Sequence, residues 1–201
     1  MNRDITAVAL MDATERLLIE GGHAAVTTRR VAEEAGQTHG LIRYHFGSLG
    51  ELMTATVQRA AGRILDRQRA LYERDVPFAD KWRTAMSYLE SDLTEDGFPK
   101  LAMELISLGW NDETLRRELV RMIEEFHEML SDAVRSALEE YGVGEAGDVE
   151  PLAALIRTFQ IGIMVERLAG IDVGHEALLK AIDVRLADMH EPTRGDDHES
   201  A

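Results

Sequence analysis

Apolar residues recur at helical spacing along nearly the whole chain, and no stretch keeps the period-two alternation of a half-buried strand. The pattern predicts an all-α protein. Leu10, Ala13, Leu17 and Leu18 form one stripe within a first helix of about Ile5 to Glu20, which Gly21-Gly22 ends. Thr27 is placed to cap a short second helix that stops near Ala35-Gly36, and a third runs from Thr38 to about Phe46-Gly47. Ser48-Leu49-Gly50-Glu51 has capping-box spacing and opens a long fourth helix that extends to about Tyr72. Further helices are expected over Phe78 to Thr94, Lys100 to Trp110, from a cap at Asn111 or Asp112 to Tyr141, from Asp148 as cap through Pro151 to Ala169, and His175 to His190. Pro77, Gly97-Phe98-Pro99, the three glycines between Gly142 and Gly147, and Gly170 with Gly174 mark the breaks. The polar stretch 191–201 reads as a disordered tail.

The helix over 152–171 is apolar on nearly every side. Leu152, Leu155, Ile156, Phe159, Ile163, Met164, Val165 and Leu168 exceed a single stripe, so burial from two directions is expected. Leu178, Leu179, Ile182 and Leu186 extend the surface onto the last helix. A second copy of the chain is the expected second cover, with Leu152, Leu155, Ile156, Phe159, Ile163, Leu178, Ile182 and Leu186 at the interface. In the middle helices, Trp82, Met86, Leu89, Met103, Ile106, Trp110, Met122 and Phe126 are large and partly flexible, the chemistry of an adaptable apolar cavity. Glu104, His127, Arg157 and Gln160 are polar groups available to orient a ligand there.

Composition narrows the class. Hydrophobic residues are 45% and charged residues 29%, as in a globular protein, and no apolar run is long enough for a membrane span. Met1-Asn2-Arg3-Asp4 leads into an amphipathic segment without the apolar core of a signal peptide. With no cysteine, disulfides and thiolate metal sites are excluded, and a cytoplasmic location is expected. The net charge of −15 is unevenly spread. Residues 1–69 sum to +1, with nine arginines and no lysine, and the remainder carries −16. A near-neutral head on an acidic body suits a polyanionic partner at the head alone.

No nucleophile elbow, zinc-protease helix, P-loop or dinucleotide fingerprint is present, and the seven histidines are scattered. Neither an enzyme, nor a metal site, nor a cofactor is expected. The informative segment is Thr27 to Phe46: two short helices joined by Ala35-Gly36-Gln37, the layout of a helix-turn-helix. Val31, Ala32, Leu41 and Ile42 are placed to pack the pair. Thr38, His39, Gly40, Arg43 and Tyr44 then lie on the open side, with donors, acceptors and an aromatic but no acid, as a major-groove reader requires.

From Leu10 to Leu52 the chain resembles the TetR family of bacterial regulators. The apolar first helix is followed by Thr27-Thr28-Arg29-Arg30-Val31-Ala32, then Ala35-Gly36, then Tyr44-His45-Phe46, in the family's order and spacing. The resemblance implies a three-helix DNA-binding head (1–48), a helical ligand-binding and dimerisation domain (49–190), and pairing of the last two helices with their copies. It implies operator DNA with an inverted repeat, a small apolar or amphipathic effector, and a homodimer as partners. Thr28, Tyr44 and His45 would touch phosphate, and Arg29, Thr38, His39, Gly40 and Arg43 would face base edges. Two positions depart from the pattern. Leu49 stands where a phosphate-binding lysine is usual, and Gln37 where an aliphatic residue is usual. The alternative is a helical interaction protein of the same fold that binds a protein partner instead of DNA.

Overall fold

The computed structural model describes residues 3–93 and 97–190, which form helices and, among these residues, no strand. The elements are α1 (Arg3–Ala25), α2 (Thr28–Glu34), α3 (Gly40–Phe46), α4 (Leu49–Tyr72), α5 (Phe78–Ser91), α6 (Phe98–Gly109), α7 (Glu113–Tyr141), α8 (Val149–Leu168) and α9 (His175–His190). The expected tail at 191–201 and the helix end at Thr94 lie outside the described residues.

Local chemistry explains most boundaries. α1 buries Leu10, Ala13, Leu17 and Leu18, and each such leucine contributes roughly 1.5–3 kcal/mol. Helical hydrogen bonding resumes after a kink at Gly22 (φ 65°, ψ −173°), so α1 reaches Ala25, beyond the expected stop. Thr27 Oγ1 accepts from Arg30 N at 3.2 Å, and Ser48 Oγ accepts from Glu51 N at 3.1 Å. Asp112 Oδ1 accepts from Thr114 N and Leu115 N at 2.8 and 3.1 Å. Two starts differ from expectation. α3 becomes regular only at Gly40, because Thr38 and His39 form a preliminary turn (Leu41 N to Thr38 O, 3.0 Å). Asp148 serves a 3-10 turn (Ala146–Asp148) one turn before α8: its carboxylate accepts from Glu145 N at 2.7 Å.

Two hydrophobic cores result. The first joins α1–α4 to Leu101 and Leu105 of α6 and Leu115 of α7, so packing runs without interruption past residue 48. The second gathers Tyr72, Phe78, Trp82, Leu130, Val134, Val149 and Ala153 at the far end of the body. α4 belongs to both, placing Leu52, Val57 and Ala60 in one and Tyr72 in the other. Its 24 residues span about 36 Å at 1.5 Å per residue.

Candidate nucleic-acid interface and cavity

The turn between α2 and α3 depends on Gly36, whose φ of 63° lies in the left-handed region that a side chain disfavours. Gln37 N donates back to Ala32 O at 2.8 Å, which closes the turn, and the Gln37 side chain is half-buried. Val31, Ala32 and Ile42 are buried, and Leu41 and Phe46 pack against the same core. With those side chains inward, Thr28 and Arg29 on α2 and Thr38, His39, Gly40, Arg43 and Tyr44 on α3 and its approach are exposed, while His45 is half-buried. The Tyr44 and His45 rings meet edge-on, 5.0 Å between centroids.

Charge on this face is distributed by local pairing. Arg29 Nε donates to Glu33 Oε1 at 2.7 Å, one helical turn along, and this carboxylate raises the guanidinium pKa. Arg16 is held by Glu34 at 2.8 Å, Arg59 by Asp12 and Glu15 at 2.7 and 2.9 Å, and Arg63 by Glu15. Those arginines support the head from behind. Arg30 and Arg43 make no ion pair among the described residues and stay exposed. Only the folded pairing reveals that Arg30, next to Arg29 in sequence, is a further exposed cation of α2.

The body encloses a cavity of about 150 Å³ among α4, α5, α6, α7 and α8. Of the residues expected to line it, Leu89, Ile106, Met122 and Phe126 do so. The other four are elsewhere. Trp82 is buried in the second core, 5.8 Å between ring centroids from Phe159, and with Met86 edges a shallow groove toward α9. Met103 is half-buried on α6 outside the cavity wall, and Trp110 follows the end of α6 at 79% exposure. A sequence pattern of bulky apolar residues does not distinguish core, cavity and loop; position relative to the helix ends decides.

The wall also includes residues that composition did not highlight. Ala61, Ile64, Leu65 and Gln68 of α4 line it at i, i+3, i+4 and i+7. Gln68 was the available signal, a polar side chain on an otherwise apolar buried stripe. Arg157 and Gln160 of α8 reach the cavity together with Asp92. Glu104 and His127 do not. Glu104 accepts from His23 N at 3.0 Å, and His127 Nε2 is 2.9 Å from Glu150 Oε2, which lowers the Glu150 pKa.

α8 splits its apolar surface between two sides. Ile163 is buried in its own subunit, and Ile156, Phe159, Ile182 and Leu186 pack on the second core. Leu152, Leu155 and Leu178 remain at the surface, Leu155 with 64% exposure, beside exposed Val165 and Val184. The expected pairing surface therefore divides into an inward half and an outward half.

The family model described as "Bacterial regulatory proteins, tetR family" matches residues 10–56, the stretch that builds this head. The head of the chain is thus similar to the DNA-binding head of the TetR family. A curated relative, an uncharacterized HTH-type transcriptional regulator of Mycobacterium tuberculosis, is 26% identical over 137 residues, covering 67% of this chain and 68% of its own length. Its counterpart in Mycobacterium bovis matches to the same extent. Among solved structures, a TetR-family regulator of Agrobacterium tumefaciens superposes with a TM-score of 0.76 at 17% identity, over 92% of this chain and 98% of that one. FadR of Bacillus subtilis, solved in complex with stearoyl-CoA, superposes with a TM-score of 0.71 at 14% identity, over 89% and 96%. The TetR-type fold thus extends through the whole described body, beyond the matched head. The matched head, the curated relatives and the shared fold all point to transcriptional regulators.

Proposed function

We propose that the chain is a ligand-responsive repressor: a homodimer that binds an inverted-repeat operator and releases it when a small apolar or amphipathic molecule enters the body. The observation that carries this reading is the α2–α3 face, where Arg29, Thr38, His39, Arg43 and Tyr44 stand exposed together on a buried Val31–Ile42 support. Guanidinium groups pair with guanine edges, and hydroxyl and ring groups suit phosphate and adenine or thymine edges. The acidic body favours contact through the head alone.

Coupling has a material basis in α6. It gives Phe98, Pro99, Ala102 and Ile106 to the cavity wall, Leu101 and Leu105 to the head core, and Glu104 to the kink of α1. A molecule that shifts α6 must change the packing of the head, and linkage makes effector and operator oppose each other when they prefer different head positions. The exposed apolar side of α8 and α9 supports a two-fold dimer, and the absence of a membrane-length apolar helix among the described residues fits action in the cytoplasm. That FadR of Bacillus subtilis, which shares this fold, was solved in complex with stearoyl-CoA supports an amphipathic effector.

Gel-shift and footprinting with the DNA flanking the chain's own gene test the proposal. The expected footprint is an inverted repeat with half-sites about 34–36 Å apart on one face of the duplex. A chain that shifts no such DNA but captures a protein partner would be the interaction protein of the alternative reading.

A further inference from the structure

The cavity wall is apolar apart from four polar side chains, Gln68, Asp92, Arg157 and Gln160. Along α4 the lining residues run Ala61, Ile64, Leu65 and then Gln68, so the polar group sits furthest from the head. Asp92, Arg157 and Gln160 also reach the cavity. Asp92 reaches the cavity from the end of α5, where Arg67 holds one carboxylate oxygen and Gly97 N donates to its backbone oxygen at 3.0 Å. Burial pushes the Tyr72 hydroxyl, one turn beyond Gln68, up to about 12, and a hydrogen bond with the Gln160 side chain works in the opposite direction. That contact sets Gln160 at the same end, and Arg157 precedes it by one turn of α8.

Four polar atoms of the cavity-lining residues are buried without a hydrogen-bond partner: Gln68 Oε1, Asp92 Oδ1, Arg157 Nε and Gln160 Oε1. Unpaired buried polar atoms are costly and mark where a missing partner belongs. The charges decide what kind. Asp92 is compensated by Arg67. Arg157 has no ion pair among the described residues, so among these residues the cavity wall carries one guanidinium in excess. A guanidinium presents paired N–H donors that match a carboxylate, and a partly desolvated charge gains most from an opposite one. The two glutamines can turn their amides to offer N–H groups to the second oxygen.

We propose that the cavity takes a small amphipathic carboxylic acid, with its carboxylate on Arg157 and its apolar body directed among Ile64, Phe98, Ile106, Met122 and Phe126. The size agrees: 150 Å³ is the scale of a cavity that holds one benzene ring, and the methionine and phenylalanine walls adapt to somewhat more. A cation meets Arg157 and is repelled, and a neutral head leaves the guanidinium unpaired. This inference rests on the reading that the cavity is the effector site, and it adds the charge of the effector.

Titration calorimetry of the full chain at neutral pH with phenylacetate, 2-phenylethanol and 2-phenylethylammonium tests it, since the three share a body and differ in charge. Phenylacetate should bind at least about tenfold more tightly than the alcohol, with the ammonium weakest, as expected for a charge-assisted pair. Arg157→Gln should bring phenylacetate down to the level of the alcohol and leave the alcohol within about twofold, whereas Arg157→Lys should keep the preference for the acid. Should Arg157→Gln fail to melt cooperatively, the wild-type ranking and the lysine variant decide. Equal binding of acid and alcohol, a preference for the ammonium, or an acid preference unchanged in Arg157→Gln overturns the assignment of charge while leaving the cavity as effector site. Failure of all three probes to bind overturns the assignment together with the reading of the cavity.

Discussion

Arg29 Nε lies 2.7 Å from Glu33 Oε1 on the outer side of α2, with the arginine side chain 87% exposed. The pair is a solvated i,i+4 contact, and such contacts contribute little to stability. Its consequence is for binding: Arg29 must leave Glu33 before it reaches a base edge. Glu33→Gln is therefore expected to tighten operator binding several-fold and to leave the thermal melt unchanged. Arg29→Ala should weaken binding and relax the preference at one base pair in each half-site. Fluorescence anisotropy with operator and scrambled duplexes checks both. Equal effects of Arg29→Ala on the two duplexes would assign Arg29 to phosphate instead of base.

The division of α8 makes a second prediction. Leu155→Asp puts a charge on the exposed side, so each chain should stay folded while the dimer dissociates. Light scattering should drop from twice the 22.4 kDa chain mass to one chain. Ile163→Asp places an unpaired charge at a position only 4% exposed, and should unfold the body at any concentration. The reverse pattern, with Leu155→Asp unfolding and Ile163→Asp merely monomeric, would mean that α8 is rotated relative to this account.

These residues also show what sequence can and cannot reveal. Helix order was legible because caps and breakers are local: Thr27, Ser48 and Asp112 act within a few residues of themselves. The exposed side of α3 was legible because a short amphipathic helix has one buried side. The facing of α8 was not, since a helix apolar all round carries no phase in its pattern. The cavity was half legible. Leu89, Ile106, Met122 and Phe126 resemble Trp82 and Met86 in chemistry, and only the tertiary meeting of five helices separates them. Arg30, Gln68 and Asp92 gained meaning from the presence or lack of partners distant in sequence.

Leu49 is half-buried and packs against the first core at the start of α4. The resemblance to the TetR family implies a phosphate-binding lysine at this position. Leu49→Lys should lower the melting temperature, because apolar contact is lost, and should leave the salt dependence of operator binding unchanged. If lysine instead reached phosphate, each subunit would add about 0.9 to the slope of log affinity against log salt, roughly two for a dimer. A steeper slope with an unchanged melt would refute the packing account.

Tyr72 gives the body an alkaline limit. Burial raises its hydroxyl to about 12, against 10.0 for the free side chain, with the Gln160 hydrogen bond opposing the shift. The unfolded chain thus loses the proton at lower pH than the folded one. Stability is fully retained below pH 10 and falls as pH rises from about 10 to 12, by roughly 2–3 kcal/mol for two units at 1.36 kcal/mol each. Denaturant melts of wild type and Tyr72→Phe over this range should converge at neutral pH apart from a constant offset and diverge above pH 10, the phenylalanine variant showing the shallower decline. Parallel declines would remove Tyr72 as the source.

The joint between head and body rests on Gly22 and Glu104. Gly22 adopts φ 65° and ψ −173°, a conformation open almost only to glycine, and a Cβ there would lie 2.7 Å from Glu104 Oε1. The same carboxylate holds the end of α1: Glu104 Oε2 accepts from His23 N and lies 3.0 Å from His23 Nδ1. Gly22→Ala therefore carries two separable penalties, backbone strain and displacement of Glu104. Strain alone costs about 1–3 kcal/mol, which in a chain of this size lowers the melting temperature by several degrees. Glu104→Ala removes the clash and the bond to His23 but not the strain. Gly22→Ala should consequently be less damaging in the Glu104→Ala background than in wild type, and the double-variant cycle should show coupling above about 0.5 kcal/mol. Operator affinity of the folded single variants should fall as well, since both loosen the seat of α1 on α6. Additive melting shifts would mean that the carboxylate does not constrain residue 22, and an unshifted Gly22→Ala melt would mean that the kink itself tolerates a side chain.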